Sequence, residues 1–217
     1  MRKIGGIVLA AGGSTRLGQP KQLLELRGET LVHAAVSVAI EGGCDVVSVV
    51  TGHARQAVEA AVAELRPICV HNEHWRLGMG GSLRCGLESL PAVSAVIVMA
   101  CDQPGLDAQV IRSLIKRYEE GGFTIVASRY SGTLGIPALF DQSCFSELHR
   151  LPDKSGAKAV INADPRRTTL VEFPLGAFDL DTPEDLQSWR QSNQPLRRSL
   201  PGPVDVCAGF DPLPSRA

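Results

Sequence analysis

The sequence predicts an α/β fold with a mostly parallel sheet and right-handed crossovers. Three observations carry this. Short runs rich in valine and isoleucine recur along the chain: Ile7-Val8-Leu9, Val46 to Val50 and Val93 to Met99. Helix-period apolar patterns lie between them. Paired glycines follow the first run and close two of the helices, at Gly42-Gly43 and Gly121-Gly122. Apolar runs without polar alternation read as strands buried on both faces, as in a parallel sheet covered by helices.

The elements follow in order. Met1-Arg2-Lys3 and the apolar stretch Ile4 to Ala11 have the layout of a short leader. Gly5, Gly6, Gly12 and Gly13 break that stretch, and Arg16 follows at once. A buried strand entering a glycine-rich turn fits better. Leu31, Ala35, Val38 and Ala39 share one face of a helix. Val58, Ala61, Val62 and Leu65 mark a second helix, and Val110, Ile111, Leu114, Ile115 and Tyr118 a third. Residues 124–128 read as a strand. Beyond residue 130 the pattern is less regular: Ile136 to Phe140 as a strand, Ser155 to Ala163 as a helix, Thr168 to Phe173 as a strand. Thr182-Pro183-Glu184-Asp185 is a helix start, with Thr182 as cap, Pro183 at the first helical position and Asp185 completing a capping box. From Asn193 onward the composition shifts, with five of the fourteen prolines and no apolar period. We expect one domain over 1–192 and a flexible proline-rich tail over 193–217.

Composition narrows the function. The chain has 217 residues, 44% apolar and 21% charged, enough for one well-formed core. Its 22 basic and 23 acidic residues argue against a nucleic-acid binder and against a polybasic membrane anchor. No run approaches the ~18 apolar residues of a membrane span. The six cysteines form no C-x-x-C pair and read as reduced, mostly buried thiols. These features predict a protein of a reducing, aqueous compartment, the cytoplasm.

Ligands of open α/β sheets bind beyond the carboxyl ends of the strands. After the first strand comes Leu9-Ala10-Ala11-Gly12-Gly13-Ser14-Thr15-Arg16-Leu17-Gly18-Gln19-Pro20-Lys21. Its glycines let backbone amides approach phosphate oxygens, and Arg16 and Lys21 supply positive charge. An ordinary strand-to-helix turn is the plainer alternative. Gln19 stands where a Walker loop needs lysine, and the glycine spacing does not match a dinucleotide fingerprint. After the strand at Val93 to Met99 comes Cys101-Asp102-Gln103-Pro104. Asp102 is placed to hold a divalent cation, while Asp107 is the better helix cap. A second acidic group is Asp179-Leu180-Asp181. On an extended stretch its two aspartates share a side, and one of them can meet Asp102. In the loop from Asn72 to Leu83, Asn72 can bond a base edge or ribose, and Ser82 can cap a helix or touch a nucleotide. His71 and His74 are a weak metal pair, and Trp75 reads as packing.

Taken together, L-A-A-G-G-S-T-R-L-G-Q-P-K, N…G-M-G-G-S-L, C-D-Q-P, G-I-P-A-L-F and D-L-D-T-P-E-D resemble the MobA-like nucleotidyltransferases, most nearly the molybdenum cofactor cytidylyltransferases. The resemblance covers about residues 1–190. It implies a Rossmann-like three-layer α/β/α nucleotidyltransferase fold and a Mg²⁺-dependent transfer of CMP from CTP to the phosphate of molybdenum-loaded molybdopterin. A client molybdoenzyme or its chaperone is the implied partner. Carried onto this sequence, Leu9, Ala10, Ala11, Gly12 and Gly13 hold the nucleotide, with further contacts from Lys21, Asn72 and Ser82. Arg16 and Lys21 bind the triphosphate, and Arg16, Lys21 and Asp102 form the catalytic set. Asp102 and Asp181 are the implied Mg²⁺ ligands. Gly135-Ile136-Pro137 resembles the acceptor side. Ala11 replaces a glycine of the related guanylyltransferases, which favours cytosine. One departure falls at Asp153-Lys154-Ser155-Gly156-Ala157-Lys158, where the family often has G-D-x-G-A-[KR]. Either Asp153-Lys154 replaces the glycine-aspartate pair, or Asp153 keeps its role beside one inserted residue.

Overall fold

A computed structural model describes residues 2–192 of the chain. The elements are β1 (Ile4–Ala10), β2 (Glu25–Leu26), β3 (Glu29–Thr30), α1 (Leu31–Glu41), β4 (Val46–Thr51), α2 (Arg55–Ala61), β5 (Ile68–His71), α3 (Met79–Ser89), β6 (Ala95–Ala100), α4 (Ala108–Glu119), β7 (Ile125–Tyr130), β8 (Thr133–Asp141), α5 (Phe145–His149), α6 (Lys158–Ala163), β9 (Thr168–Glu172) and α7 (Pro183–Ser192). Seven strands form the main sheet in the order β5-β4-β1-β6-β8-β7-β9. Only β8 runs against its neighbours, so the sheet is mostly parallel. The strands β2 and β3 form a small separate hairpin.

Two apolar layers sandwich the sheet. On one face Val32, Val36 and Ala39 of α1, Val58 of α2 and Ile111 and Leu114 of α4 pack on Val8, Val49, Ile97 and Val126. On the other face Leu83 and Leu87 of α3, Leu148 of α5 and Val160 and Ile161 of α6 pack on Ile7, Val50, Val98 and Phe140. This is the three-layer α/β/α arrangement, and it explains why the central strands carry apolar residues at consecutive positions. A third, smaller cluster joins Leu17, Leu24, Leu31, Leu180, Leu186 and Trp189. It ties the loop after β1 to α7 and the segment that leads into it.

Local chemistry sets the boundaries. Thr30 caps α1 by accepting from the His33 amide, and Asp107 caps α4 by accepting from the Val110 amide. Thr182 and Asp185 bond reciprocally at the start of α7, as the capping-box pattern predicts. The helix expected over Val58 to Leu65 is divided. It stops at Ala61, a single 3₁₀ turn follows over Ala63–Leu65, and Arg66 takes a left-handed conformation. Pro67 disfavours a helical residue before it and sends the chain into β5. That edge strand has only four residues and is half exposed, so it lacks the apolar signal of the central strands. The strand expected from Ile136 belongs to a nine-residue strand that begins at Thr133, because Ser131 and Gly132 both take positive φ and close a tight hairpin with β7.

Of the cysteines described, Cys44, Cys101 and Cys144 are buried, Cys85 is half-buried and Cys69 is exposed, and all five are free thiols. Cys207 and the proline-rich segment 193–217 lie outside the described residues. Among the described residues no helix is long and apolar enough to cross a membrane.

Candidate active site

The sheet register builds the site. Leu9 of β1 pairs with Ala100 of β6, and Ala10 with Thr51 of β4. The loops that leave these strands therefore start side by side. The loop after β1 turns at Ser14, whose carbonyl accepts from the Leu17 and Gly18 amides, and Ser14 Oγ accepts from the Lys21 amide at 3.0 Å. Leu17 and Leu24 sink into the third cluster beside Leu180. Their burial draws Lys21 toward the acidic stretch at 179–181. A backbone bond from the Leu180 amide to the Asp102 carbonyl, 2.9 Å, fastens that stretch to the end of β6.

Lys21 Nζ lies between two carboxylates. It pairs closely with Asp102 and donates to Asp181 Oδ1 at 2.9 Å. Arg16 reaches Asp181 Oδ2 at 2.7 Å while remaining mostly exposed. Burial works against the Lys21 ammonium, but Asp102 and Asp181 outweigh it and hold its pKa above the ordinary lysine value. Burial opposes ionisation of Asp181 too, yet Lys21 and Arg16 keep its carboxyl below the usual range. Asp179, two residues earlier, is hydrogen-bonded by Gln103 and forms no ion pair among the described residues. Burial, with the neighbouring charges of Asp102 and Asp181, pushes it up to about 6.

The structure thus gathers Arg16, Lys21, Asp102 and Asp181 into one network. Ala10 and Ala11 are buried in opposite core layers, so their side chains are unavailable and only their backbone can serve a ligand. A Cβ on Gly12 would meet open space. A Cβ on Gly13 would stand 2.8 Å from the Trp75 ring, so this loop and the indole approach as closely as glycine allows. Trp75 also contacts the His53 ring and carries the Arg76 guanidinium on its face.

Asn72 and Ser82 are not bonded to that charge network. Both are buried, and they bond to each other through Asn72 Nδ2 and Ser82 Oγ at 3.0 Å. Asn72 Oδ1 also accepts from the His74 amide. Gly78, not Ser82, stands at the cap position of α3. Among the described residues, no set of three or more His, Cys, Asp or Glu could hold a metal ion, so His71 and His74 find no third ligand. Gln103 Nε2 donates to the carbonyls of Ile136, 3.3 Å, and Gly176, 3.2 Å, and so links the G-I-P segment to the C-D-Q-P turn. Asp153 is paired with Arg84 of α3, and the Arg84 guanidinium also donates to the Leu151 carbonyl.

Sequence reasoning missed three features. Gln22 is buried behind the glycine loop, the packing expected of Trp75 falls on Gly13 of that loop with His53 beside the indole, and the Arg84–Asp153 clasp organises the segment at 151–155. P-K-Q-L-L carries no signal for Gln22, because only the fold shows which way that side chain faces. The clasp had none, because 69 residues separate its partners.

A mostly parallel α/β/α sheet, with a glycine-rich, cation-bearing loop after its central strand and acidic residues at the neighbouring carboxyl end, defines the nucleotidyltransferase class of fold. The chain belongs to the MobA-like NTP transferase domain family, whose model matches residues 6–168. Nicotine blue oxidoreductase of Paenarthrobacter nicotinovorans is 39% identical over 124 residues, which cover 56% of this chain and 60% of that protein. The bifunctional protein GlmU of Rhodococcus opacus is 36% identical over 187 residues, covering 81% of this chain and 36% of GlmU. The chain thus spans less than two thirds of the length of these relatives. The crystal structure of Rv0371c from Mycobacterium tuberculosis superposes with a TM-score of 0.76 at 30% identity, covering 88% of this chain and 98% of that one. The same protein has been crystallised in complex with manganese.

Proposed function

We propose that the protein is a divalent-cation-dependent nucleotidyltransferase that moves CMP from CTP to the terminal phosphate of molybdenum-loaded molybdopterin. The product, a cytosine dinucleotide form of the cofactor, would pass in the cytoplasm to a client molybdoenzyme or its chaperone. The observation that carries the reading is Lys21 held between Asp102 and Asp181 beside the Gly12-Gly13 loop. Cations and carboxylates together are what a triphosphate and its counter-ion would require, and this supports the reading.

An acceptor phosphate oxygen forms a bond to the α-phosphorus of CTP, the bond to the β-phosphate bridging oxygen breaks, and pyrophosphate leaves. A phosphate monoester has its second pKa near ~6, so the nucleophile is already ionised at neutral pH and needs no general base. The remaining barrier is repulsion between anions and charge growing on pyrophosphate. Lys21 and Arg16 can turn from the carboxylates to the phosphate oxygens and stabilise both. The donor set suits a hard divalent cation such as Mg²⁺, which takes one or two carboxylates and completes its shell with phosphate oxygens and water. Asp102 and Asp181 would hold it, and it would supply neutralising charge on the phosphates. The manganese complex of the Mycobacterium tuberculosis relative supports a divalent ion in this family. The preference for cytosine rests on the family pattern, in which Ala11 stands in place of the guanylyltransferases' glycine, and with its side chain buried Ala11 would act through the backbone.

The test is pyrophosphate release with Mg²⁺, each of the four nucleoside triphosphates, and molybdenum-loaded molybdopterin. Release with CTP alone is the expected result. Release with GTP instead would overturn the base assignment, and silence with all four would overturn the reaction. One observation favours a second reading, the 39% identity with a relative named as an oxidoreductase. Oxidation of NADH or NADPH by the purified protein with a reducible aromatic acceptor, together with silence in the first assay, would establish it.

A further inference from the structure

Gln22 is almost fully buried, yet no apolar side chain occupies its place. It sits in the single 3₁₀ turn Lys21–Leu23, next in sequence to the lysine of the charge network. Its Nε2 donates to the Ala10 carbonyl at 2.9 Å and to the Gly12 carbonyl at 2.6 Å. Between these two, the Ala11 carbonyl accepts from the His53 amide at 3.0 Å. Three consecutive carbonyls of the glycine loop are thereby taken up by the protein. The Gln22 amide oxygen has no partner. A buried acceptor left unpaired is unfavourable, and an ordinary core position would avoid it with an aliphatic residue.

We propose that Gln22 is a positioning residue that fixes the backbone of the glycine loop for anion binding and locks that loop to Lys21. With the carbonyls of residues 10, 11 and 12 turned onto protein donors, the electron-rich side of the backbone faces away from the ligand. The amides at the open Gly12 position are then left for an anion. The same short turn carries Lys21, so loop and cation move as one unit. Glutamate cannot substitute, because a carboxylate would face two carbonyl oxygens and offer no donor. The ligand class is the oligophosphate of a nucleotide, and in this respect the inference rests on the proposed transfer reaction.

The test uses the full chain with Gln22→Met, which keeps the volume and removes the donors, and Gln22→Asn, which keeps the amide but falls one methylene short. The first readout needs no nucleotide. Exchange of the His53 amide, measured by NMR, should quicken about tenfold or more in both variants while the amides of β6 stay protected. The second readout is steady-state pyrophosphate release, where KM for the nucleotide should rise about tenfold and kcat should fall less. Unchanged His53 exchange in a folded variant would overturn the inference. So would a wild-type KM in an active one. If Gln22→Met fails to fold, Gln22→Asn carries both readouts. If the wild-type protein releases no pyrophosphate with any nucleotide, the reaction reading fails, while the exchange experiment still decides the role of Gln22.

Discussion

Lys21 does two jobs that a substitution can separate. It neutralises Asp102 and Asp181, and in the proposed reaction it stabilises phosphate charge. Asp102→Asn removes the carboxylate charge and preserves the shape. We expect pyrophosphate release to fall about 10²–10³-fold, by analogy with loss of one transition-state charge contact, while the melting temperature stays within about 4 °C of wild type. Lys21→Met should cost similar activity but also stability, because Asp102 would lose its cation and the largely exposed Arg16 alone would be left to balance Asp102, Asp179 and Asp181. Thermal melts alongside the activity assay distinguish the two, and a Lys21→Met protein as stable as Asp102→Asn would contradict the balancing role. These charged residues were legible in the sequence because charge at the end of an apolar strand stands out. Gln22 was not, because a glutamine between lysine and leucine resembles any helix surface position, and only the fold shows which way it faces.

At the scale of elements, the glycine-rich entry to α3 is shaped by a distant segment. The Gly80 amide donates to the Asp153 carbonyl, and a Cβ on Gly80 would press into the Pro152 carbonyl oxygen. Arg84 then clasps Leu151 and Asp153 from the first turns of the helix. The G-M-G-G-S-L pattern therefore reflects close backbone approach. Even Gly80→Ala should destabilise the protein, by about 1–3 kcal/mol, since backbone and not a flexible side chain must yield. Urea denaturation measures this, and a loss under about 0.5 kcal/mol would show that the two segments part easily. The same clasp bears on the departure at 153–158: Asp153 has a structural partner, so its carboxylate is already engaged. None of this was legible, because periodicity reports which face of an element is buried but not which distant loop covers it. Strands β1, β4 and β6 and the caps at Asp107 and Thr182 were legible because each is written in consecutive residues. The edge strand β5 and the β2–β3 hairpin were not, being too short and too exposed to carry a period.

Across the whole molecule, the two ends of the sheet are built for different tasks. The carboxyl ends of β1 and β6 lead into the charged groups of the site, Arg16, Lys21 and Asp102. The amino ends are closed by structural bonds. There the Ile4 amide donates to Asp45, the Ser94 amide to the Lys3 carbonyl, and Tyr118 Oη to Asp141 Oδ2 at 2.5 Å. The Tyr118 bond fastens α4 to the end of β8, far from Lys21 in the fold. Tyr118→Phe should therefore cost stability, about 1.5–3 kcal/mol for a bond to an ionised acceptor, and leave turnover unchanged. The pH dependence follows from both groups. Burial opposes ionisation of Asp141, but the tyrosine hydroxyl and the Ser143 amide outweigh it and hold its folded pKa below the ordinary value. A carboxyl depressed on folding contributes stability above its unfolded pKa, near ~3.9, and that contribution disappears as pH falls through the folded value. Burial and the Asp141 charge raise Tyr118 to about 12, so its contribution is complete below the unfolded value of ~10 and is lost as pH rises from there through the folded value. The gap in stability between wild type and Tyr118→Phe should be flat from about pH 5 to 9 and narrow on either side. Chemical denaturation across that range checks it, and a gap that kept its full size at pH 3 would show that the bond does not depend on the carboxylate.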